Sequence, residues 1–287
     1  MRSTATPESA ARFRARVIAD VIRLELDMVP MRRRTFLAVK LSIAIACFLS
    51  VASLAEAAEI KVLSGSAVVP PMATLIPQFE RSTGHKVMSD FDGAIGAMTK
   101  RIENGEAADV IIVSRPQIDS LEKHGRVIPG SAVEVGKLGV GVFVRKGAPK
   151  PDITSVEAFK RTLLAAKSIG YNDPAAGAPV SIYLIGAFER LDIVEQMKPK
   201  TVVFKQRSER FAAVARGDVE IGFNQISEIL AVPSIELVGP LPAAIQNYTL
   251  FTAAIVASSK QPDAAKAFIH FISSPAAAAV MKVKGFE

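Results

Sequence analysis

From residue 58 onward, short β-branched runs alternate with amphipathic stretches, the pattern of an α/β fold built on mainly parallel sheets. Glu59–Leu63, Lys86–Phe91, Asp109–Val113 and Lys137–Arg145 read as strands, and so do Ser168–Tyr171, Thr201–Phe204, Glu220–Asn224 and Tyr248–Ala257. Helices fit between them: Pro70–Arg81 behind opening prolines, Ile95–Asn104 closed near Gly105, and one opened by Ser114, Arg115 and Pro116 that runs through His124. After a turn at 146–149, further helices read over 155–166, near 180–190, over 208–216, and past the last strand over 263–272 and 275–283. Thr154 and Glu157 have the spacing of a capping box for the first of these. No internal repeat or low-complexity linker interrupts the run, so two α/β halves share one compact arrangement.

The first 57 residues are of a different kind. Residues 31–57 carry a basic start at Arg32, Arg33 and Arg34, an apolar stretch from Leu41 to Leu54, and small residues at Ala55 and Ala57. That is the layout of a secretory signal cleaved after Ala57, and it predicts a periplasmic protein. The apolar stretch is shorter than the roughly 20 residues of a spanning helix, and nothing later approaches that length. Residues 1–30 fit no part of a signal, and Met31 reads as the true start. Cys47, the only cysteine, lies within the signal, where lipid attachment is the minor alternative. The mature part then has no thiol for a disulfide, a thiolate nucleophile or a metal.

Composition narrows the function further. A hydrophobic fraction of 49% can fill sizeable cores. The net charge is +7, yet residues 58–287 hold 26 basic against 23 acidic side chains, which is too mild a balance for nucleic acid. His85, His124 and His270 have no metal-ligand spacing, and no G-x-S-x-G elbow surrounds a serine. A binder is therefore expected, not an enzyme, with no catalytic residue, metal or cofactor.

Several segments resemble the periplasmic molybdate-binding proteins and their relatives among type II solute-binding proteins of ABC importers. They are the opening strand and loop Glu59–Ala67, the stretch Arg101–Val110, Asp173-Pro174 ahead of Ile182-Tyr183, Arg216–Gly222, and the tail Pro275–Phe286. The resemblance covers nearly all of residues 58–287. It implies a two-lobed fold, each lobe a mainly parallel sheet flanked by helices, with lobe I at 58–141 plus 252–287 and lobe II at 142–251. Two crossover strands near 138–145 and 248–257 would act as the hinge, and ligand would be trapped between the lobes. The implied partners are a small anion, a membrane permease and its ATPase, met by a monomer. An adhesin or sensory protein on the same fold is the alternative.

Loops at the carboxyl ends of parallel strands lead into helix N-termini, whose free amides and dipoles attract anions. Four such loops are visible, Ser64–Val68, Asp92–Gly96, Ala176–Ile182 and Lys205–Glu209. The candidate ligand-binding residues are Ser64, Gly65, Ser66 and Ala67 on the first, Gly93 and Ala94 on the second, Val180 and Ser181 on the third, and Arg207 and Gln225 beyond. Tyr171 and Tyr183 could line the pocket or pack in the core, and Asp173 reads as a cap. The departures from the molybdate pattern are specific. Ala67 stands where that family places a serine, the loop Asp92–Gly96 lacks a hydroxyl, and the pocket tyrosine falls on Gln225. Two backbone ligand positions fall on Val180 and Arg207. A guanidinium and a carboxamide would set which anion fits, because Arg207 could grip a carboxylate or phosphate with two N–H groups.

Overall fold

The computed structural model describes residues 57–287, so the leader reading and Cys47 lie outside the described residues. Among the described residues nine strands run β1 (Glu59–Ser64), β2 (Lys86–Asp90), β3 (Val110–Ser114), β4 (Val133–Arg145), β5 (Ile169–Asn172), β6 (Thr201–Phe204), β7 (Ile221–Gln225), β8 (Ile235–Pro240) and β9 (Tyr248–Ile255). The helices are α1 (Val69–Thr83), α2 (Ile95–Glu103), α3 (Arg115–Lys123), α4 (Val156–Ala165), α5 (Pro179–Arg190), α6 (Val194–Met197), α7 (Arg207–Arg216), α8 (Ile226–Leu230), α9 (Pro262–Ile272) and α10 (Pro275–Val283). Among the described residues no single helix is long and apolar enough to cross a membrane.

The strands follow the order β2-β1-β3-β9-β4-β7-β5-β6, with β8 also paired to β4. The pairs β1–β2, β1–β3, β5–β6 and β5–β7 are parallel. Every antiparallel pair involves β4 or β9, so the sheet is mixed. The long strand β4 changes partner along its length: Val133–Gly139 pairs with β9, and Val140–Phe143 with β7. Burial follows the same division. One core cluster draws on residues 60–138 and 251–286, around Phe79, Phe251 and Phe268. Two others draw on residues 140–241, around Phe159 and Phe223 and around Phe143 and Phe211. Phe79 of α1 meets Phe268 of α9 edge to face at 5.1 Å, and burying such a ring stabilises by about 1.5–3 kcal/mol.

Three local expectations change. β8 has no clear signal in the sequence, because Pro233 stands just ahead of it and Pro240 is its last residue. At five residues, α8 is too short to display a helical period. Helix α4 is capped by Ser155, whose Oγ accepts from Ala158 N, while Thr154 Oγ1 donates to Asp152 instead.

Candidate anion-binding cleft

The carboxyl ends of β1, β2, β5, β6 and β7 open on one cavity of about 520 Å³ between the two halves of the sheet, floored in part by Phe251 of β9. Strand ends gather there because parallel neighbours put all their carboxyl termini on one edge. Nine of the ten candidate residues line it: Gly65, Ser66, Ala67, Gly93, Ala94, Val180, Ser181, Arg207 and Gln225.

The first half contributes a tight pair of loops. A Cβ on Gly65 would stand 2.7 Å from Ile95 Cγ2 and 3.1 Å from Ile95 N, so only glycine allows this approach. Ser66 N donates to Gly93 O at 3.1 Å, locking the loops together. Across the cleft, a Cβ on Gly96 would lie 3.4 Å from Gly177 O, so backbone nearly meets backbone between the halves. Helices α2, α5 and α7 all begin at the cavity, on Ala94, Ala178 and Gln206, and none has a side-chain cap. No side chain of the capping residues therefore occupies the first N–H groups of these helices, and α5 opens with Pro179, which has none.

The second half contributes charge. Arg210 on α7 is 1% exposed, and its Nη1 donates to Asn172 Oδ1 at 2.6 Å. Its Nε and Nη2 find no partner among the described residues, nor do Asn224 Nδ2, Ser181 Oγ and Gln225 Oε1. Burial pulls the Arg210 guanidinium down to about 10, with nearby Glu228 opposing the shift and Arg207 adding to it, so it stays charged at neutral pH. Glu228 on α8, itself 6% exposed, accepts from Ser66 Oγ at 2.7 Å and from Arg207 Nη1 at 2.8 Å.

One candidate position is corrected, and the open readings of the others are decided. Ser64 does not reach the cavity: it is fully buried in the sheet, and its hydroxyl donates to Ile112 O at 2.6 Å. Arg207 reaches the cavity but gives Nη1 to Glu228. Tyr171 packs beside Phe188 in the core, and the Tyr183 hydroxyl donates to Ile245 O, so neither ring lines the cavity. Asp173 accepts from Ala175 N and caps the 3-10 turn at Pro174–Ala176. Sequence reasoning does not reach Asn172, Asn224, Glu228 or the place of Arg210. One signal was available, because Arg210 shares a helical face with Ala213 and Val214 and is a charge on an apolar stripe.

A cleft ringed by strand ends, between two α/β halves joined through β4 and β9, is a fold shared with solved periplasmic binding proteins. A family model described as bacterial extracellular solute-binding protein matches residues 60–287, and the chain belongs to that family. It is similar to the aconitate isomerase of a Pseudomonas species, 34% identical over 79% of this chain and 86% of that protein. It is also similar to the molybdate-binding protein ModA of Azotobacter vinelandii, 27% identical over 81% of this chain and 91% of that one. The solved periplasmic molybdate-binding protein of A. vinelandii superposes with a TM-score of 0.67 at 20% identity, covering 79% of this chain and 98% of that one.

Proposed function

We propose that the protein is the solute-binding component of an ABC importer and that it captures a small anion in this cleft. The observation that carries the reading is the meeting of three helix N-termini, α2, α5 and α7, on one cavity without side-chain caps. An anion there satisfies the open N–H groups of both halves at once and so favours their closed arrangement. In this reading residues 31–57 export the chain to the periplasm, and the closed monomer is what a permease with its ATPase accepts. The lobes I and II of the sequence are the two bodies that close.

The test is a thermal-shift panel on the purified protein with molybdate, tungstate, sulfate, phosphate and small carboxylates. Ligand at about 100 times Kd raises stability by about 2.7 kcal/mol, an easily read shift. If no anion in the panel moves the melting temperature, the reading fails.

A second reading is turnover, favoured by the 34% identity to a protein named aconitate isomerase and by Glu228, a buried carboxylate on the cavity wall. Isomerisation by removal and return of a proton balances with one group that accepts the proton and gives it back, the role open to Glu228. Proton NMR of cis-aconitate incubated with the protein tests this. Appearance of the trans isomer, lost in Glu228→Gln, supports it; an unchanged spectrum removes it.

A further inference from the structure

We infer that Arg210 selects a carboxylate for this cleft, as the anchor of an organic anion; the inference rests on the small-anion reading above and names its chemical class. Arg210 lines the cavity at 1% exposure, and its guanidinium is already held in place. Nη1 donates to Asn172 Oδ1, and the guanidinium carbon stands 5.1 Å from the Phe211 ring centroid and 6.0 Å from that of Phe143. What remains is Nε and Nη2, without partners among the described residues. These two N–H groups share one edge of the planar guanidinium and point the same way, which fits the two oxygens of one carboxylate.

Two further observations favour an organic acid over a bare oxyanion. The cavity of about 520 Å³ is in the range that encloses whole organic ligands. Gln225 Nε2 donates to Thr249 Oγ1, leaving Oε1 as a buried acceptor without a partner. An acceptor on an anion-binding wall calls for a ligand that also carries a hydroxyl or a protonated acid group. Arg207 likewise gives only Nη1, but to the carboxylate of Glu228 and from a half-exposed position, so its charge is matched within the protein, whereas buried Arg210 is bonded only to a neutral amide.

The experiment compares wild type, Arg210→Met and Arg210→Lys in the full chain by calorimetric titration with citrate, a tricarboxylate that carries a hydroxyl, and with glycerol 3-phosphate and molybdate. Wild type is expected to bind the carboxylate. Arg210→Met replaces a buried cation with an apolar side chain of similar length, so it should fold and melt close to wild type. It should lose at least about 100-fold in carboxylate affinity, and Arg210→Lys, which keeps the charge but not the fork, about 10-fold. If Arg210 were only a structural cation, Arg210→Met would lower the melting temperature and leave affinity unchanged, which overturns the proposal. Binding of molybdate or glycerol 3-phosphate without the carboxylate also overturns it, while the small-anion reading stands. Should wild type bind none of the three, that reading loses its support and the inference falls with it. If Arg210→Met does not fold, crystals of wild type with citrate decide, since a carboxylate on Nε and Nη2 is required.

Discussion

The two walls of the cleft are built differently. The first half presents mostly backbone and small neutral side chains, at Gly65, Ser66, Ala67, Gly93 and Ala94, with one carboxylate, Asp92, and the second presents Lys205, Arg207, Arg210, Glu228 and Asn172. The first half is not poor in charge. Its Lys61, Asp90, Arg101 and Glu106 pair with one another at 2.6–2.9 Å and do not line the cavity. Under the proposed small-anion reading, the difference is a division of labour, in which one wall offers amides that suit any small anion and the other, through fixed guanidinium geometry, decides which anion fits.

Substitutions can break or sharpen this contrast. The largest effect is expected at the neutral wall: Gly65→Ala drives a Cβ against buried Ile95 and should destabilise by about 2–3 kcal/mol. Calorimetry would read this as a drop of about 5–10 °C, and an unchanged melting temperature would mean the loops are not tightly apposed. Arg207→Ala comes next, at about 2 kcal/mol by urea denaturation, because the buried carboxylate of Glu228 keeps only Ser66. Its affinity loss should be similar for every anion, unlike the selective loss in Arg210→Met; a carboxylate-specific loss would assign the selecting role to Arg207. Ser66→Ala removes a neutral donor and should cost about 1 kcal/mol with anion affinity within threefold, readable by titration.

The smallest effect belongs to the charges of the first half. Arg101, with Lys61 behind it, holds the Glu106 carboxyl down to about 2. A depressed carboxylate stabilises fully above the ordinary glutamate range and loses that contribution as the pH falls towards 2. Glu106→Gln should therefore cost about 0.5 kcal/mol or less at pH 7, with the difference from wild type vanishing near pH 2 and ligand affinity unchanged throughout. A titration series showing altered affinity would connect this cluster to the cleft.

The alternation of strand and helix was legible because each element buries its own periodic face, as in β1 with Ile60 and Val62 inside and α1 with Met72, Leu75 and Phe79 inside. The loops that reach the cavity were legible too, since a strand leading into a helix places its loop on the anion-binding edge. Ser64 was not. It sits one residue before the strand leaves the sheet, and that single step decides whether a hydroxyl faces the cavity or the core. Arg207 and Arg210 could not be told apart by spacing. Which guanidinium meets Glu228 and which stays open depends on α8, an element contributed from elsewhere in the chain.

The sequence by itself determined the α/β class, the order of most elements and the glycines that let loops close on one another, because these follow from local periodicity and backbone freedom. Only the tertiary structure decided how β4 and β9 tie the halves together, and that Asn172, Phe143 and Phe211 hold the guanidinium of Arg210. Phe211 is the next residue in the chain, but Asn172 and Phe143 lie 38 and more than 60 positions from Arg210, and no local pattern encodes a partner at such a distance.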